Sequence, residues 1–279
     1  MTGVRARGIG QAMVLAAGRS TRIAGELDGR SKLLVDIGGE TVLERNLRWL
    51  HDAGVTDVWI NLHYRPNDIR SLVGDGSRLG LCVRYSEEPE LLGTAGAFRK
   101  IVSDDARHGG ILRESTDNGE AGSPHSSEPV LLVYGDNVSR FDLQALVRRH
   151  VESEALATLA LFDARVHGNS GIAGGRVVIE DGLVVAFSEG RSGEGRSAEG
   201  TSVDSSLVNA GVYVLEPRVA DHIADDGAPD FGRDVFPALL ARGARIAAHV
   251  IEPFGYCFGI DTPEALARAR AALAERVAR

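Results

Sequence analysis

The strongest constraint on the fold of this chain is the alternation of short apolar runs with longer segments whose apolar residues recur at helical spacing. The strand-like runs occupy residues 12–17, 55–62, 81–87 and 129–136. Helix-like segments lie between them, the clearest at 41–53. Strands that alternate with helices predict a layered α/β/α structure around a mostly parallel sheet.

The second half of the chain has a different pattern. Two β-branched runs within residues 175–187 flank Asp181 and Gly182, a dipeptide typical of two-residue hairpin turns. Further strands are predicted at 155–162 and 208–215, and helices at 142–154, 232–242 and 262–277. We therefore expect an antiparallel addition to the sheet in this half.

Two internal segments are too polar to contribute to a core. Residues 103–128 contain DNGEAGSPHSSE, and residues 188–205 consist mostly of Ser, Gly, Glu and Arg. This composition favours mobile surface insertions. We expect residues 1–11 to form a flexible tail and residues 12–279 to form a single domain.

The composition excludes several classes of protein. The formal charge of -8 has the wrong sign for neutralising a nucleic-acid backbone, and two cysteines are too few for a disulfide framework or a zinc cluster. Every apolar run is far shorter than the about 20 residues of a membrane-spanning helix, and the N-terminus lacks a secretory apolar region. We expect a cytoplasmic protein that binds neither nucleic acid nor a membrane.

The first candidate site is the segment 15–23, LAAGRSTRI, which joins a predicted strand to a polar loop with two arginines. Backbone amides of such a loop can hold a triphosphate while the arginines offset its charge. This predicts nucleotide contacts at Leu15, Ala16, Ala17 and Gly18. The segment lacks the three glycines of a dinucleotide fingerprint, and the Walker-type phosphate loop is absent. An ordinary surface loop with solvated arginines is the alternative.

Two aspartates far apart in sequence, Asp136 and Asp261, are candidate metal ligands. Asp136 ends a buried strand, where the sites of α/β sheets lie, and Asp261 precedes the last predicted helix. Mg²⁺ prefers a few carboxylate oxygens together with phosphate oxygens and water, so this pair could hold one Mg²⁺ beside a substrate phosphate. The alternatives are a turn residue for Asp136 and helix capping by Asp261 or Thr262.

The segment 85–98, YSEEPELLGTAGAF, is a candidate site for the base of a nucleotide. Gly93 would let a base lie against the backbone, with Thr94 beside it at the start of a helix. A carboxylate at Glu88 could accept bonds from guanine N1–H and N2–H₂ together, whereas thymine or uracil offers one such donor. This pattern favours GTP. The alternative is a solvated charge within an acidic run.

Six segments of the chain occur in the order that is typical of sugar-phosphate nucleotidyltransferases. They are LAAG-x-x-x-R with a following lysine and LLVDIGGETVLERNL, then YSEEPELLGTAGAF, YGD, VNAGVYVL, DFGRDVFPALL and IDTPEALARA. Over nearly its whole length the chain thus resembles that family, which includes mannose- and heptose-phosphate guanylyltransferases.

This resemblance implies a Rossmann-like fold related to that of the GT-A enzymes, with a nucleotide-binding half at about 12–140 and a sugar-binding half at about 141–279. It also implies the transfer of a nucleotidyl group from a nucleoside triphosphate to a sugar 1-phosphate, with release of pyrophosphate.

The resemblance also implies roles for the first constellation. The glycine-rich loop of the family holds the nucleotide phosphates, so Gly18 would allow close backbone approach and Arg22 would stabilise charge on the departing pyrophosphate. Lys32 would neutralise the α-phosphate, and Asp136 completes the catalytic set. Ser31 stands where the family usually has proline, a departure that removes rigidity without removing the charge.

The sugar phosphate is implied to bind in the second half. Glu189 and Asn209 match family positions and would recognise the sugar hydroxyls. The expected lysine is replaced by Gly190, and Arg191 beside it could reach the same phosphate.

Asp261 departs from the pattern of the sugar-phosphate branch, which usually has an aspartate three residues before the threonine. That position is Gly259 here, and Asp261 directly precedes Thr262. The arrangement is more similar to cytidylyltransferases that activate acidic sugars, in which the aspartate before threonine is a metal ligand.

Several alternatives stay open at this point. The base could be that of UTP, dTTP, ATP or CTP. A noncatalytic relative that binds nucleotide sugars would fit the altered loop at 188–205, and a metal-dependent glycosyltransferase is disfavoured because no Asp-x-Asp motif is recognisable. The oligomeric state is open, with a homodimer as the candidate.

Overall fold

The computed structural model describes residues 9–18, 23, 25, 27, 29–107, 128–167, 170–172, 174–189 and 205–277. The strands are β1 Gln11–Leu15, β2 Asp57–Leu62, β3 Cys82–Glu87, β4 Val130–Tyr134, β5 Asn137–Arg140, β6 Ala157–Asp163, β7 Arg176–Glu180, β8 Leu183–Ser188, β9 Leu207–Leu215, β10 Ile246–Val250 and β11 Tyr256–Gly259. The α-helices are α1 Val42–Asp52, α2 Pro66–Val73, α3 Gly93–Arg107, α4 Leu143–Ser153, α5 Phe236–Ala241 and α6 Pro263–Val277.

The main sheet has nine strands in the order β3-β2-β1-β4-β9-β6-β10-β8-β7. β1 pairs in parallel with β2 and β4, and β10 pairs in parallel with β6. β9 runs antiparallel between β4 and β6, and the β7–β8 hairpin lies at the edge. The predicted layered α/β fold, with an antiparallel addition in the second half, is confirmed, and the sheet as a whole is mixed rather than mostly parallel.

Helices cover both faces of this sheet, and β1 shows why its sequence is a continuous apolar run. Ala12 and Val14 pack into the core that includes residues of α1, α2 and α4. Met13, on the opposite side of the strand, packs with residues of α3 and α5. A strand with a core on each face has no polar face to present.

A third, smaller core lies away from the main sheet. β5 and β11 pair as a separate two-stranded antiparallel sheet. Val138 of β5 and Phe258 of β11 are buried together with Leu266 of α6. The last helix therefore packs over this small sheet.

Local sequence signals explain two elements that were predicted correctly. Thr41 and Glu44 form a reciprocal capping box at the start of α1, as the hydroxyl and carboxylate spacing requires. Asp181 and Gly182 join β7 to β8 with φ values of 49° and 75°, which is the left-handed backbone that a two-residue hairpin turn needs.

The sequence predicted no strand between residues 243 and 261, but β10 and β11 lie there, and it missed β5 as well. β5 is only four residues long and half polar, so its pattern carries little signal. The predicted helix at 232–242 is a π-helical turn at Phe231–Val235 followed by α5.

The predicted tail and insertions need corrections at their ends. The tail does not extend to residue 11, because Ile9 is buried and Gln11 begins β1. Residues 103–107 belong to α3, and Ser188 to β8, because each continues the hydrogen bonding of the element before it. Residues 1–8, 108–127 and 190–204 lie outside the described residues.

Within the part of the chain that the structure describes, no helix combines the length and apolarity required to cross a membrane.

The ends of β1 and β4 approach each other closely at Gly135. Its amide donates a hydrogen bond to the Leu15 carbonyl oxygen at 3.0 Å. A Cβ atom at Gly135 would lie 2.6 Å from the same oxygen and 2.9 Å from Cγ1 of Val14. Glycine thus allows the residue that follows, Asp136, to lie directly beside the end of β1.

We predict that Gly135→Ala lowers the free energy of unfolding by about 1–3 kcal/mol, because the backbone of β1 would have to move away. Urea unfolding measures this change. Gly10→Ala is the matched control, since the nearest atom to a Cβ there is 3.9 Å away. Equal stability of the two variants would contradict the close approach.

Candidate active site

The small β5–β11 sheet brings the two candidate aspartates to one place. Asn137 at the start of β5 pairs with Gly259 at the end of β11. Asp136 immediately precedes β5, and Asp261 lies two residues beyond β11. The antiparallel register therefore sets both carboxylates at the same end of the small sheet, although most of the second half of the chain separates them in sequence.

Both carboxylates contact the ammonium group of Lys32. Its Nζ atom forms ion pairs with Oδ2 of Asp136 and, at 2.5 Å, with Oδ1 of Asp261. Burial alone would lower the pKa of Lys32, but the two carboxylates outweigh burial and raise the pKa above its ordinary value. Lys32 is therefore a fixed positive charge, as its proposed role at a phosphate requires.

The segment that carries Lys32 is a short 3₁₀ turn, Lys32–Leu34. The buried hydroxyl of Ser31 accepts a hydrogen bond from the Leu33 amide at 3.4 Å and caps this turn. The loss of rigidity expected from serine in place of proline is thus offset by a local side-chain contact.

Thr262, rather than Asp261, caps the last helix. Its hydroxyl accepts a hydrogen bond from the Ala265 amide at 3.2 Å, and its carbonyl accepts one from Leu266 at 2.9 Å. Asp261 is thereby left to face Lys32. A side chain at Gly259, the usual family position of the aspartate, would place its Cβ 3.1 Å from the Gly171 carbonyl oxygen.

The donor set of Asp136 and Asp261 fits a hard divalent cation. Their side chains are 31% and 36% exposed, so part of each carboxylate is open to solvent while both face one cationic centre. Among the described residues, no group of three or more His, Cys, Asp or Glu side chains could hold a metal ion. Two carboxylates fit Mg²⁺ when phosphate oxygens and water complete the coordination.

The loop after β1 begins with well-anchored residues. Ala16 is buried, and its amide donates to Oδ1 of Asn61 at 2.7 Å. Ala17 is buried as well, whereas Gly18 is exposed with open space around the position of a Cβ atom. The chain thus leaves the sheet at a fixed point and presents Gly18 to solvent.

Glu88 is held in the same network and is only 4% exposed, so it is not a solvated surface charge. Its Oε1 accepts from the amide nitrogen of Asn61 at 2.7 Å, and its Oε2 accepts from the Leu92 backbone amide at 3.1 Å. Through Asn61, Glu88 therefore ties the segment before α3 to the start of the loop after β1 at Ala16. Its contact with a base stays a prediction.

Gly93 and Thr94 connect the two halves of the molecule. Gly93 has φ of 73°, and a Cβ there would lie 2.4 Å from the Pro229 carbonyl oxygen. The Thr94 hydroxyl donates to Oδ2 of Asp230 at 2.7 Å and accepts from the Phe231 amide at 3.0 Å. The start of α3 is thus fixed against the segment that precedes α5.

Asn209 lies at an irregular point of β9, where the pairing with β6 shifts register. Its Oδ1 accepts from the Gly211 amide at 3.1 Å, and its Nδ2 donates to the Tyr213 hydroxyl at 2.6 Å. The ring of Tyr213 packs edge-on against Tyr134, the residue that ends β4. Asn209 therefore belongs to a buried polar network that reaches Tyr134, two residues before Asp136.

Glu189 is half-buried beside Gly232, where a Cβ atom would overlap its carboxylate. Burial, reinforced by the nearby charge of Asp230, raises the pKa of Glu189 to about 7, against a smaller opposing effect of Arg233. Hydrogen bonds donated by a ligand would stabilise the ionised form of such a carboxylate.

Of the predicted site residues, the structure therefore gathers Lys32, Asp136 and Asp261 at one point. A second group, Thr94, Glu189 and Asn209, is linked through Asp230, Tyr134 and Tyr213. The predicted phosphate ligands Arg22 and Arg191 lie outside the described residues.

Three polar residues were missed by the sequence analysis: Asn46 and Asn61, which are buried, and Asp230, which is half-buried. Asn46 lies on the apolar face of α1, and Asn61 lies within an otherwise apolar strand. A polar residue at a core position is a recognisable signal, because burial without a partner is unfavourable. Asp230 has no comparable signal in its polar surroundings.

Comparison with known proteins identifies the family of this chain. The sequence pattern of the nucleotidyl transferase family matches residues 11–274, so this chain belongs to that family.

Two relatives align with most of this chain but with only part of their own length. The chain is 31% identical over 268 residues to mannose-1-phosphate guanylyltransferase of Mycobacterium tuberculosis, an alignment that covers 96% of this chain and 65% of that protein. It is 28% identical over 243 residues to UTP–glucose-1-phosphate uridylyltransferase of Synechocystis sp., with coverage of 84% and 56%. The chain thus spans less than two thirds of the length of either relative.

Among solved structures, a Bacillus anthracis protein provisionally assigned as a glucose-1-phosphate thymidylyltransferase shares the fold. It superimposes with a TM-score of 0.73 at 18% identity, covering 94% of each chain.

The raised pKa of Glu189 gives a pH-dependent prediction. Because protonation of Glu189 favours the folded state, its contribution to stability is full below about pH 4.5 and is lost as the pH rises through about 7. We predict that Glu189→Gln, which stays uncharged, gains stability relative to the wild type between pH 5 and pH 8, as measured by urea midpoints. Glu180→Gln on the exposed side of the same hairpin is the control. A wild-type-to-variant difference that is independent of pH would contradict the assignment.

Proposed function

We propose that this protein transfers the nucleotidyl group of a nucleoside triphosphate to a sugar 1-phosphate and releases pyrophosphate. GTP with a mannose- or heptose-type 1-phosphate is the favoured pair. The observation that carries the proposal is the convergence of Asp136 and Asp261 on Lys32, beside the loop at residues 15–18.

The reaction is an in-line displacement. An oxygen of the sugar 1-phosphate attacks the α-phosphorus and forms a new P–O bond, while the bond from the α-phosphorus to the bridging oxygen breaks and pyrophosphate leaves. The nucleophile is already an anion, so the protein need not supply a general base. Catalysis then consists of positioning and of charge compensation.

Charge compensation falls to Lys32 and the loop after β1. Lys32 keeps its proton because of the two carboxylates, and it would contact the α-phosphate as the second anion approaches. Backbone amides from Leu15 to Gly18 would hold the remaining phosphates. Arg22 would stabilise the charge that develops on pyrophosphate.

The two carboxylates support a proposed magnesium site. Among the described residues, Lys32 faces two carboxylates, whose negative charge opposes the approach of two anionic substrates. Mg²⁺ held by Asp136 and Asp261 would supply a Lewis acid and offset that charge.

The second group of residues is proposed to bind the sugar phosphate. Glu189 and Asn209 lie in the polar network beside Asp230 and would accept and donate hydrogen bonds to sugar hydroxyls. Arg191 is proposed to contact the phosphate.

The preference for GTP is supported by the relative from Mycobacterium tuberculosis, which is named a guanylyltransferase. To contact guanine, Glu88 would exchange one of its bonds, to Asn61 or to Leu92, for the base. The relative from Synechocystis sp. is named a uridylyltransferase, so UTP with glucose 1-phosphate is the second candidate pair.

The test is a matrix of GTP, UTP, dTTP, ATP and CTP against mannose, heptose and glucose 1-phosphates, with pyrophosphate release as the readout at fixed Mg²⁺. The proposal expects turnover with one pair well above the others, and GTP in that pair. Turnover with another nucleotide would correct the proposed preference for GTP and leave the proposed reaction unchanged. Nucleotide-sugar binding without pyrophosphate release from any pair would favour a noncatalytic relative.

We predict that Asp136→Asn lowers kcat by at least about 100-fold, because the charge at the reacting phosphate is no longer balanced. The affinity for nucleotide, measured by calorimetry, should change much less. Asp181→Asn in the exposed hairpin turn is the matched control and should retain wild-type turnover. An active Asp136→Asn variant at the same Mg²⁺ concentration would refute the role of this carboxylate.

A further inference from the structure

We infer that Asn46 of α1 is a positioning residue that sets the direction of the Asp136 carboxylate. Its side-chain amide donates to the carbonyl oxygen of Gly135 at 3.0 Å and to that of Asn137 at 2.9 Å. These are the two residues that flank Asp136. A single side chain thus holds the backbone on both sides of a proposed catalytic carboxylate.

The setting of Asn46 makes these two bonds rigid. The residue is 0% exposed and lies on the buried face of a helix that is fixed at its start by the Thr41–Glu44 capping box. The backbone position of Asn46 is therefore set by the main core, independently of the turn that it holds. The Asp136 turn is short and connects β4 of the main sheet to β5 of the small sheet, and the Gly135 amide bond to the Leu15 carbonyl oxygen holds its start.

The side-chain amide of Asn46 is directed at the turn. Its Nδ2 atom makes both contacts, and among the described residues no donor reaches its buried Oδ1 atom. Hydrogen bonds made from a neighbouring element in this way orient the residues that act on a reacting group.

The opposite side of the turn is held as well. The side chain of Asn137 donates to the Ala210 carbonyl oxygen at 3.2 Å, in the irregular part of β9 next to Asn209. The turn is therefore hydrogen-bonded to α1 on one side and to β9 on the other. Without the Asn46 contacts, only the β9 side of this pair remains.

The inference rests on the proposed function, because its consequence for turnover requires that Asp136 acts at the reacting phosphate. The test compares Asn46→Leu with Leu47→Ala. Leucine has the same number and branching of side-chain heavy atoms as asparagine and donates nothing, whereas Leu47→Ala destabilises the same helix from the neighbouring buried position in the main core. Both are assayed well below their unfolding temperatures.

For Asn46→Leu we expect kcat to fall by about 10- to 100-fold and the Mg²⁺ concentration needed for half-maximal rate to rise, while KM for the nucleotide changes by less than about threefold. Amide hydrogen exchange of residues 134–138 should become faster in the folded state. Leu47→Ala should lower the melting temperature but leave kcat, Mg²⁺ dependence and exchange of this segment near the wild-type values.

Equal kcat in the two variants, or unchanged exchange at 134–138 in Asn46→Leu, would overturn the role of Asn46 and leave the proposed function intact. If the wild type releases no pyrophosphate from any substrate pair, the exchange measurement and Mn²⁺ affinity in the presence of nucleotide still decide the inference. If Asn46→Leu does not fold, Asn46→Ala, which removes both donors without adding bulk, takes its place with the same expected results.

Discussion

The site depends first on the pairing of two four-residue strands, β5 and β11. Their register opposes Asn137 to Gly259 and thereby carries Asp136 and Asp261 to one end of a small sheet. A shift of the register by one residue would turn the side chains to the opposite faces and separate the carboxylates from Lys32. The third core, in which α6 covers both strands, fixes this register through buried residues such as Val138 and Phe258.

Charge is the second constraint on this region. Lys32 is drawn into a buried position that would by itself favour its neutral form, and two carboxylates keep it protonated. At Glu189 the neighbouring charge acts in the opposite direction: burial and Asp230 both favour the neutral form of its carboxyl group. The proposed ligands, a divalent cation at the two aspartates and sugar hydroxyls at Glu189, would each stabilise a negative charge.

The sequence predicted what depends on local periodicity and turn chemistry. The alternation of apolar runs gave the parallel sheet and α1, and Asp181 with Gly182 gave the hairpin. It missed β5, β10 and β11, since four or five residues carry too little periodicity to be distinguished from loops. The resemblance to a family supplied the two aspartates, but only the fold shows that Thr262 caps α6 and leaves Asp261 to face Lys32. Asn46 was missed, although a polar residue on the apolar face of α1 is a signal that the sequence carries.

The most direct test of the central claim is to locate a divalent ion. Crystals grown with Mn²⁺ and a non-hydrolysable nucleoside triphosphate should show an anomalous peak within coordination distance of both Asp136 and Asp261, with a phosphate oxygen as a further ligand and Lys32 displaced toward the α-phosphate. An anomalous peak elsewhere, or a nucleotide bound while both carboxylates remain on Lys32 with no ion beside them, would contradict this account.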